Sequence, residues 1–92
     1  MDKQFFLEVA DRYTVTMEDA FKGWIILLNG RVYITDSRII FHETREDAIR
    51  RFYNDMRWRL NRAVYNRYGR HQNSRTLWNR FKKEVNFEVK QV

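Results

Sequence analysis

The feature that most constrains the fold is a long helical pattern in the second half of the chain. Between Thr44 and Gly69, apolar side chains recur at the three- and four-residue intervals of one face of an α-helix. Thr44 followed by Asp47 approximates a capping box, and Gly69 suits the left-handed end of a helix. These signals predict one helix between the two caps. Its apolar stripe comprises Ala48, Ile49, Phe52, Met56, Leu60, Ala63 and Val64.

The stretch before this helix predicts antiparallel β-structure. The apolar run Trp24–Leu28 is followed by Asn29-Gly30 and then by Arg31–Thr35, which is rich in strand-forming residues. Asn-Gly favours a tight hairpin, because both residues accept the positive φ of a type I′ turn. A second turn at Asp36-Ser37 and a further apolar run at Arg38–His42 extend the prediction to a three-stranded meander.

The N-terminal region is less clearly patterned. Residues 3–13 place apolar side chains at both helical and strand spacings behind Asp2, a possible N-cap. We favour a short helix there, while a strand stays open. Thr16–Gly23 has a capping residue, a short run of helix formers and a final glycine, which predicts one or two helical turns.

The C-terminal region predicts a shorter helix and a strand. Asn73 or Ser74 is the cap of a helix that carries Leu77, Trp78 and Phe81. Residues 85–90 alternate apolar and polar side chains, as a half-buried strand does, and would add to the meander. We therefore expect a single α+β domain over residues 1–92. Its three- or four-stranded antiparallel sheet packs against one long helix plus one or two short helices.

The charge is unevenly distributed along the chain. The net charge is +6, but residues 1–44 contribute −2 (five bases, seven acids) and residues 45–92 contribute +8 (thirteen bases, five acids). From Arg57 to Lys83 there are nine bases and no acid. Thirteen of the 18 bases are Arg, whose planar fork pairs with phosphate or carboxylate in two places at once. This asymmetry predicts one face directed at a polyanionic or acidic partner.

The back of the long helix, opposite the apolar stripe, is the candidate for that face. There Trp58 and Tyr65 alternate with arginine and asparagine. Aromatic rings stack on bases or occupy the centres of protein interfaces, and Asn hydrogen-bonds base edges. The loop after Gly69 and the second helix continue the basic surface. The predicted binding residues are Arg57, Trp58, Asn61, Arg62, Tyr65, Arg70, Arg75, Arg80, Lys82 and Lys83.

A purely structural interpretation of the same residues is also open. Trp58 and Tyr65 become core residues if residues 3–13 or the second helix cover them. Exposed arginines that follow an acid by four positions act as simple helix stabilisers. The pairs with this spacing are Glu46–Arg50, Asp47–Arg51 and Asp55–Arg59. Beyond Arg57 no acid lies nearby, so this explanation does not extend to Arg57 and Arg62.

Catalytic and metal-binding patterns are absent from the sequence. Only His42 and His71 are present, there is no cysteine, and the three glycines form no phosphate-binding loop. The basic half has almost no carboxylates with which to hold Mg²⁺. We expect no enzyme activity, no cofactor and no metal. Neither a membrane-spanning run nor a secretory signal is recognisable, which favours a cytoplasmic protein that does not bind membranes.

Part of the chain resembles a known family of DNA-binding domains. Trp24 opens the first predicted strand, Asn29-Gly30 forms the turn, and Phe41 and Thr44–Ala48 lead into the helix. In this respect residues 23–56 resemble the AP2-like, arm-type domains of phage and transposon integrases. In that family the sheet enters the major groove. The resemblance implies contacts to bases or phosphates from Arg31, Tyr33 and Arg38.

The chain departs from that family in having a much longer helix, with its positive charge concentrated after it. In size and character it is also similar to small phage-encoded inhibitors such as anti-CRISPR proteins. We expect a small non-enzymatic binding protein of phage or mobile-element type that docks a basic, aromatic face on nucleic acid or a nucleoprotein. The alternative is an inhibitor that binds and blocks a host nucleic-acid-processing protein. A homodimer formed through the same face is a third possibility.

Overall fold

The computed structural model describes all residues from Met1 to Val92 and has the expected α+β fold. The four strands form an antiparallel sheet in the order β1-β3-β2-β4. Helix α2 packs against β2 and β4, and α3 packs against α2 and α1. The elements are α1 (Lys3–Arg12), β1 (Thr14–Val15), β2 (Trp24–Leu28), β3 (Arg31–Tyr33), α2 (Arg45–Tyr68), α3 (Ser74–Glu84) and β4 (Phe87–Gln91).

The long helix α2 is confirmed at both ends. The Thr44 hydroxyl accepts a hydrogen bond from the Asp47 N–H at 3.0 Å. Gly69 adopts the left-handed conformation (φ 71°), and its N–H donates to the Tyr65 carbonyl at 2.8 Å. Six of the seven residues in the predicted apolar stripe are buried, and Ile49 is half-buried. The periodicity of the sequence therefore sets the orientation of the helix on the sheet.

The hairpin between β2 and β3 is also confirmed. Asn29 and Gly30 both have positive φ, 52° and 81°, as a type I′ turn requires. Leu28 and Arg31 are cross-strand partners on either side of the turn. The turn residues therefore fix the register of the two central strands.

The third strand predicted at Arg38–His42 is wrong. This segment contacts the sheet at a single bridge, between His42 and Trp24. Arg38 has a positive φ of 63°, and its N–H donates to the Thr35 carbonyl at 2.9 Å, which closes a tight loop. A residue with positive φ breaks the extended backbone of a strand. The outer strands of the sheet are instead β1, which pairs with β3, and β4, which pairs with β2.

The N-terminal region contains one correct and one wrong prediction. Helix α1 is present, and Asp2 is its N-cap, accepting from the Phe5 N–H at 3.0 Å. The helical turns predicted for Thr16–Gly23 are absent; one turn, closed by Phe21 N–H to Glu18 at 3.1 Å, is all that forms. These residues connect β1 to β2, which lie on opposite sides of β3.

At the C-terminal end, Asn73 is the cap of α3, accepting from the Thr76 N–H at 3.1 Å, and β4 completes the sheet as expected. The main core contains 17 buried residues. Phe52 of α2 lies among four aromatic rings, those of Tyr33, Trp78, Phe81 and Phe87. Because α2 is held by the sheet and by α3, its remaining side faces solvent.

Candidate nucleic-acid interface

The solvent-facing side of α2 carries the two aromatic residues that the sequence singled out. Trp58 is 53% exposed and Tyr65 is 48% exposed. Neither α1 nor α3 covers them, so the interpretation that makes them core residues is wrong. Trp and Tyr are enriched at binding interfaces, so two large exposed rings on one helix face indicate a contact surface.

Between these rings lies a concave surface of about 530 Å³, which we call the stacking groove. It forms where the back of α2 meets the loop that leads into α3. None of its lining side chains is a carboxylate. Its lining residues are Trp58, Asn61, Arg62, Tyr65, His71, Gln72 and Ser74.

The side chains of the stacking groove are ordered by contacts among themselves. The Arg62 guanidinium lies 5.3 Å from the centroid of the Trp58 ring, a cation–π contact. The His71 ring stacks on Tyr65 with centroids 4.8 Å apart and an interplanar angle of 23°. Asn61 Nδ2 donates to Ser74 Oγ at 2.8 Å and so ties α2 to the start of α3. The groove is therefore held by contacts on both sides of the loop.

A second concave surface of about 600 Å³ adjoins the groove, and we call it the basic cleft. It lies between α2 and α3 and shares Ser74 with the stacking groove. The Arg57 guanidinium lies over the Tyr53 ring at 5.1 Å. This surface also has no carboxylate. Its lining residues are Tyr53, Arg57, Asn73, Ser74, Arg75, Trp78, Asn79 and Lys82.

The cations of these two surfaces have no acidic partner within the protein. The five ion pairs of the structure include none of Arg57, Arg62, Arg75 and Lys82. All four side chains belong to exposed residues. An exposed cation that has no carboxylate partner within the protein is free to pair with an external anion. The combined surface is therefore strongly positive and has no competing acid.

The structure brings together seven of the ten predicted binding residues. Trp58, Asn61, Arg62 and Tyr65 line the stacking groove, and Arg57, Arg75 and Lys82 line the basic cleft. Arg70 and Lys83 are exposed but line neither surface.

Arg80 is placed apart from this surface. It is half-buried, its Nη1 donates to the Met1 carbonyl at 3.0 Å, and its guanidinium lies 4.9 Å from the Phe6 ring. Arg80 therefore fastens the N-terminus to α3. Its side chain is engaged in the fold rather than presented to a partner.

The three residues that the family resemblance implied as DNA contacts occupy different environments. Tyr33 is buried, and its hydroxyl donates to the Asp55 carboxylate. Arg31 pairs with Asp11 at 3.3 Å and donates to the Thr14 hydroxyl at 2.9 Å. Arg38 is exposed in the loop after β3. Two of the three side chains are thus already engaged within the protein.

Seven groove or cleft residues were not predicted as binding residues, namely Tyr53, His71, Gln72, Asn73, Ser74, Trp78 and Asn79. The sequence placed His71 in the loop that continues the basic surface but did not predict its contact with Tyr65. Gly69 ends α2, and the loop that follows it lies against the same helix, where His71 stacks on Tyr65.

A third concave surface of about 480 Å³ lies on the other side of Trp58. It contains Arg50 and Arg51, but also Asp36 and Asp55. Arg50 pairs with Asp47 at 2.9 Å rather than with Glu46 as the sequence suggested. The opposed charges make this surface less suited to a polyanion than the groove and the cleft.

The most engaged cation of the protein is Arg59, which we call the arginine anchor. It is only 7% exposed, and its Nη1 donates to the Ile34 carbonyl at 2.9 Å. Its guanidinium pairs with Asp55 at 3.3 Å and lies 4.1 Å from the Tyr13 ring. The sequence predicted the pair with Asp55 as a surface contact. It is instead a partly buried link between α2 and the strands.

The structure contains no group of three or more His, Asp or Glu side chains that would hold a metal ion. His42 is buried beside α2, and its Nδ1 has no hydrogen-bond partner. Burial, and secondarily the charge of Arg51, lowers the pKa of His42 below its usual value of 6.5, while Asp47 acts in the opposite direction. No helix has both the length and the apolar character to cross a membrane.

Comparison with protein-family models, curated proteins and solved structures found no match to this chain. The geometry and charge of the stacking groove and the basic cleft therefore carry the functional argument.

Proposed function

We propose that this protein is a small, non-enzymatic nucleic-acid-binding protein that docks through the stacking groove and the basic cleft. The observation that carries the proposal is the combination of two exposed rings, Trp58 and Tyr65, with unpaired cations on a surface without carboxylates. Phosphates need cations, and bases need flat apolar faces. Both requirements are met within one continuous surface.

The choice of nucleic acid over other polyanions rests on the kinds of side chain present. Three of the four unpaired cations are Arg, whose guanidinium binds phosphate oxygens in a bidentate manner. The amides of Asn61 and Gln72 lie among the rings and are suited to the polar edges of bases. An acidic protein surface would use the same cations and rings, so the amides that lie beside the rings are the feature that favours nucleic acid.

The proposal predicts binding that weakens steeply with salt. Each phosphate neutralised by a cation releases counterions, so the logarithm of the association constant falls linearly with the logarithm of the salt concentration. We would measure fluorescence anisotropy of labelled DNA and RNA oligonucleotides between about 50 and 200 mM salt. The expected result is a steep negative slope.

A pair of matched variants tests whether this surface is responsible. Arg57→Gln with Lys82→Gln removes two charges from the basic cleft. Lys22→Gln with Lys90→Gln removes the same charge from exposed positions that line neither surface. The first variant is expected to bind more weakly and with a shallower slope, by roughly 0.7 to 0.9 for each phosphate that is no longer neutralised. Equal effects of the two variants would show that only net charge matters.

A pull-down from host lysate, with and without nuclease, tests the partner class directly. Recovery of nucleic acid that disappears on nuclease treatment supports the proposal. No affinity for any oligonucleotide, together with a stable protein complex that survives nuclease, would overturn it and favour an inhibitor of a host protein. Light scattering checks the third possibility, because a dimer that dissociates on Trp58→Ala would assign the face to self-association.

A further inference from the structure

We infer that the stacking groove takes one unpaired base of a single-stranded nucleic acid, so that the protein prefers single strands to duplexes. This inference rests on the proposed function and specifies its substrate. It depends on the spacing of the two exposed rings, on the free polar groups between them and on the position of the unpaired cations.

The positions of the two rings along α2 leave room for a base. Trp58 and Tyr65 lie two helical turns apart, which is a rise of about 10 Å between their Cα atoms. A base stacked on one ring needs roughly 4.5 to 7 Å between centroids, and each ring already holds one partner at such a distance, the Arg62 guanidinium on Trp58 at 5.3 Å and the His71 ring on Tyr65 at 4.8 Å. The groove volume of about 530 Å³ also lies within the range of sites for small organic ligands.

The polar groups of the groove remain free to recognise the edge of a base. Asn61 uses its Nδ2 to bind Ser74, which leaves its carbonyl oxygen as a free acceptor. The Gln72 amide makes no side-chain hydrogen bond within the protein, although it lines the groove. Proteins recognise unpaired bases by stacking them on aromatic side chains and by hydrogen bonds to the base edges. In a duplex these edges are already paired with the opposite strand.

The cations are placed for the phosphates of the same strand. Arg62 extends over the Trp58 ring without an ion pair, and it can reach the phosphate next to a base in the groove. The basic cleft begins at Ser74, where the groove ends, and offers Arg57 and Lys82 to the next phosphates. The two surfaces therefore form one track for a single strand.

A duplex cannot use this arrangement. Its base faces are stacked inside the helix, so an aromatic ring reaches them only if a base is first extruded, which costs unpairing energy. The groove is also concave, whereas direct reading of duplex DNA requires an element that enters the major groove. The duplex therefore retains the phosphate contacts and loses the contribution of the rings.

The test compares four ligands that differ in one property each. These are a thymidine oligonucleotide of about 12 nucleotides, an abasic oligonucleotide of the same length, a duplex of the same length and free thymidine monophosphate. The thymidine strand is expected to bind at least about fivefold more tightly than the abasic strand, because stacking contributes about 1 to 3 kcal/mol per base. The duplex is expected to resemble the abasic strand, and the mononucleotide to bind weakly.

Variants of Trp58 connect this preference to the groove. Trp58→Ala should abolish the difference between the thymidine and abasic strands. Trp58→Phe should restore most of the difference, since it keeps a flat ring. Tryptophan fluorescence should be quenched by the thymidine strand more strongly in the natural protein than in the Trp58→Phe variant, which retains only Trp24 and Trp78.

The outcomes separate this inference from the proposed function. Equal affinity for the thymidine strand, the abasic strand and the duplex would overturn the base site and leave a phosphate-binding protein. Tight binding of free thymidine monophosphate would replace the strand with a mononucleotide as ligand. Absence of binding to all four ligands would overturn both proposals.

Discussion

The stacking groove and the arginine anchor lie on the same helix, adjacent in sequence at Trp58 and Arg59, and use the same residue types for opposite purposes. Arg59 is buried among carboxylates, rings and a carbonyl, whereas Arg62 is exposed and meets only the Trp58 ring. Both sites pair a guanidinium with an aromatic face. The difference is that Asp55 and Asp36 lie at the anchor and no acid lies at the groove.

This difference teaches how one helix can serve both stability and binding. At 100° per residue, Arg59 turns toward the edge of the core while Trp58 and Arg62 turn toward solvent. Asp55 and Asp36 neutralise the charge of Arg59 at the anchor. The groove has no carboxylate, so its positive charge is not neutralised within the protein. Mutations should therefore affect folding at one site and binding at the other.

The largest effect is expected from Arg59→Met. It removes one partner of a partly buried pair, takes away one of the three donors to Asp55 and leaves the Ile34 carbonyl without its side-chain donor. Breaking such a pair costs about 3 kcal/mol of unfolding free energy. Arg57→Met, two positions away on the same helix, should change it by less than about 0.5 kcal/mol. Urea denaturation measures both, and similar losses for the two variants would contradict the division between anchor and groove.

A smaller loss of stability is expected from removing the hydroxyl of Tyr33, which is hydrogen-bonded within the protein, than from Arg59→Met. Removing the hydroxyl of Tyr65, which is not hydrogen-bonded there, is the comparison. Tyr33→Phe removes the hydroxyl that donates to the Asp55 carboxylate, and a hydrogen bond to a charged group contributes about 2 kcal/mol. Tyr65→Phe removes an exposed hydroxyl with no partner in the protein and should be nearly neutral. Thermal unfolding of the two variants provides the comparison. A neutral Tyr33→Phe would mean that Arg59 and the Asp36 N–H are sufficient to hold Asp55.

Asn61 contributes both to stability and to the stacking groove, and its substitution is expected to lower the free energy of unfolding by less than the two preceding changes. Its bond to Ser74 ties α2 to α3 and also orders the groove. A double-mutant cycle of Asn61→Ala and Ser74→Ala should give a coupling of about 1 kcal/mol. Asn66→Ala, an exposed asparagine of the same helix, controls for helix propensity. No coupling would show that the loop is positioned by the His71–Tyr65 stack instead.

Much of the fold is predictable from the sequence, because its signals are local. The caps at Thr44 and Gly69 and the turn at Asn29-Gly30 act through bonds or backbone conformations within a few residues. The segment Arg38–His42 misled the prediction because its composition suits a strand. Its partner β2 pairs instead with β4, from the opposite end of the chain, and local patterns do not reveal such competition.

The candidate site was predictable to a similar extent and for a related reason. Helical phase alone placed Trp58 and Tyr65 together on the solvent side of α2. It did not reveal that Arg80 is drawn to Met1, since that contact joins opposite ends of the chain. It also missed His71, whose stacking on Tyr65 depends on the path of the loop after Gly69. Side-chain positions that depend on tertiary structure were the ones that the sequence did not reveal.

The smallest predicted effect concerns His42, beside the first turn of α2, where charges of both signs are close. Burial and Arg51 lower the pKa of His42 in the folded protein, so the imidazole stays neutral there at pH values at which the unfolded chain binds a proton. Protons therefore favour the unfolded chain, and the free energy of unfolding should fall as the pH drops below 6.5 and recover as it rises.

His42→Gln should remove this component, because glutamine stays neutral throughout. Urea midpoints measured at intervals from about pH 7 to about pH 5 should fall less steeply for the variant than for the natural protein. Parallel slopes would mean that His42 does not titrate differently in the two states. A reduced slope, with unchanged affinity for oligonucleotides at neutral pH, would place a third electrostatic environment on α2. In this environment, protonation of His42 changes the stability of the fold, independently of the anchor and of the groove.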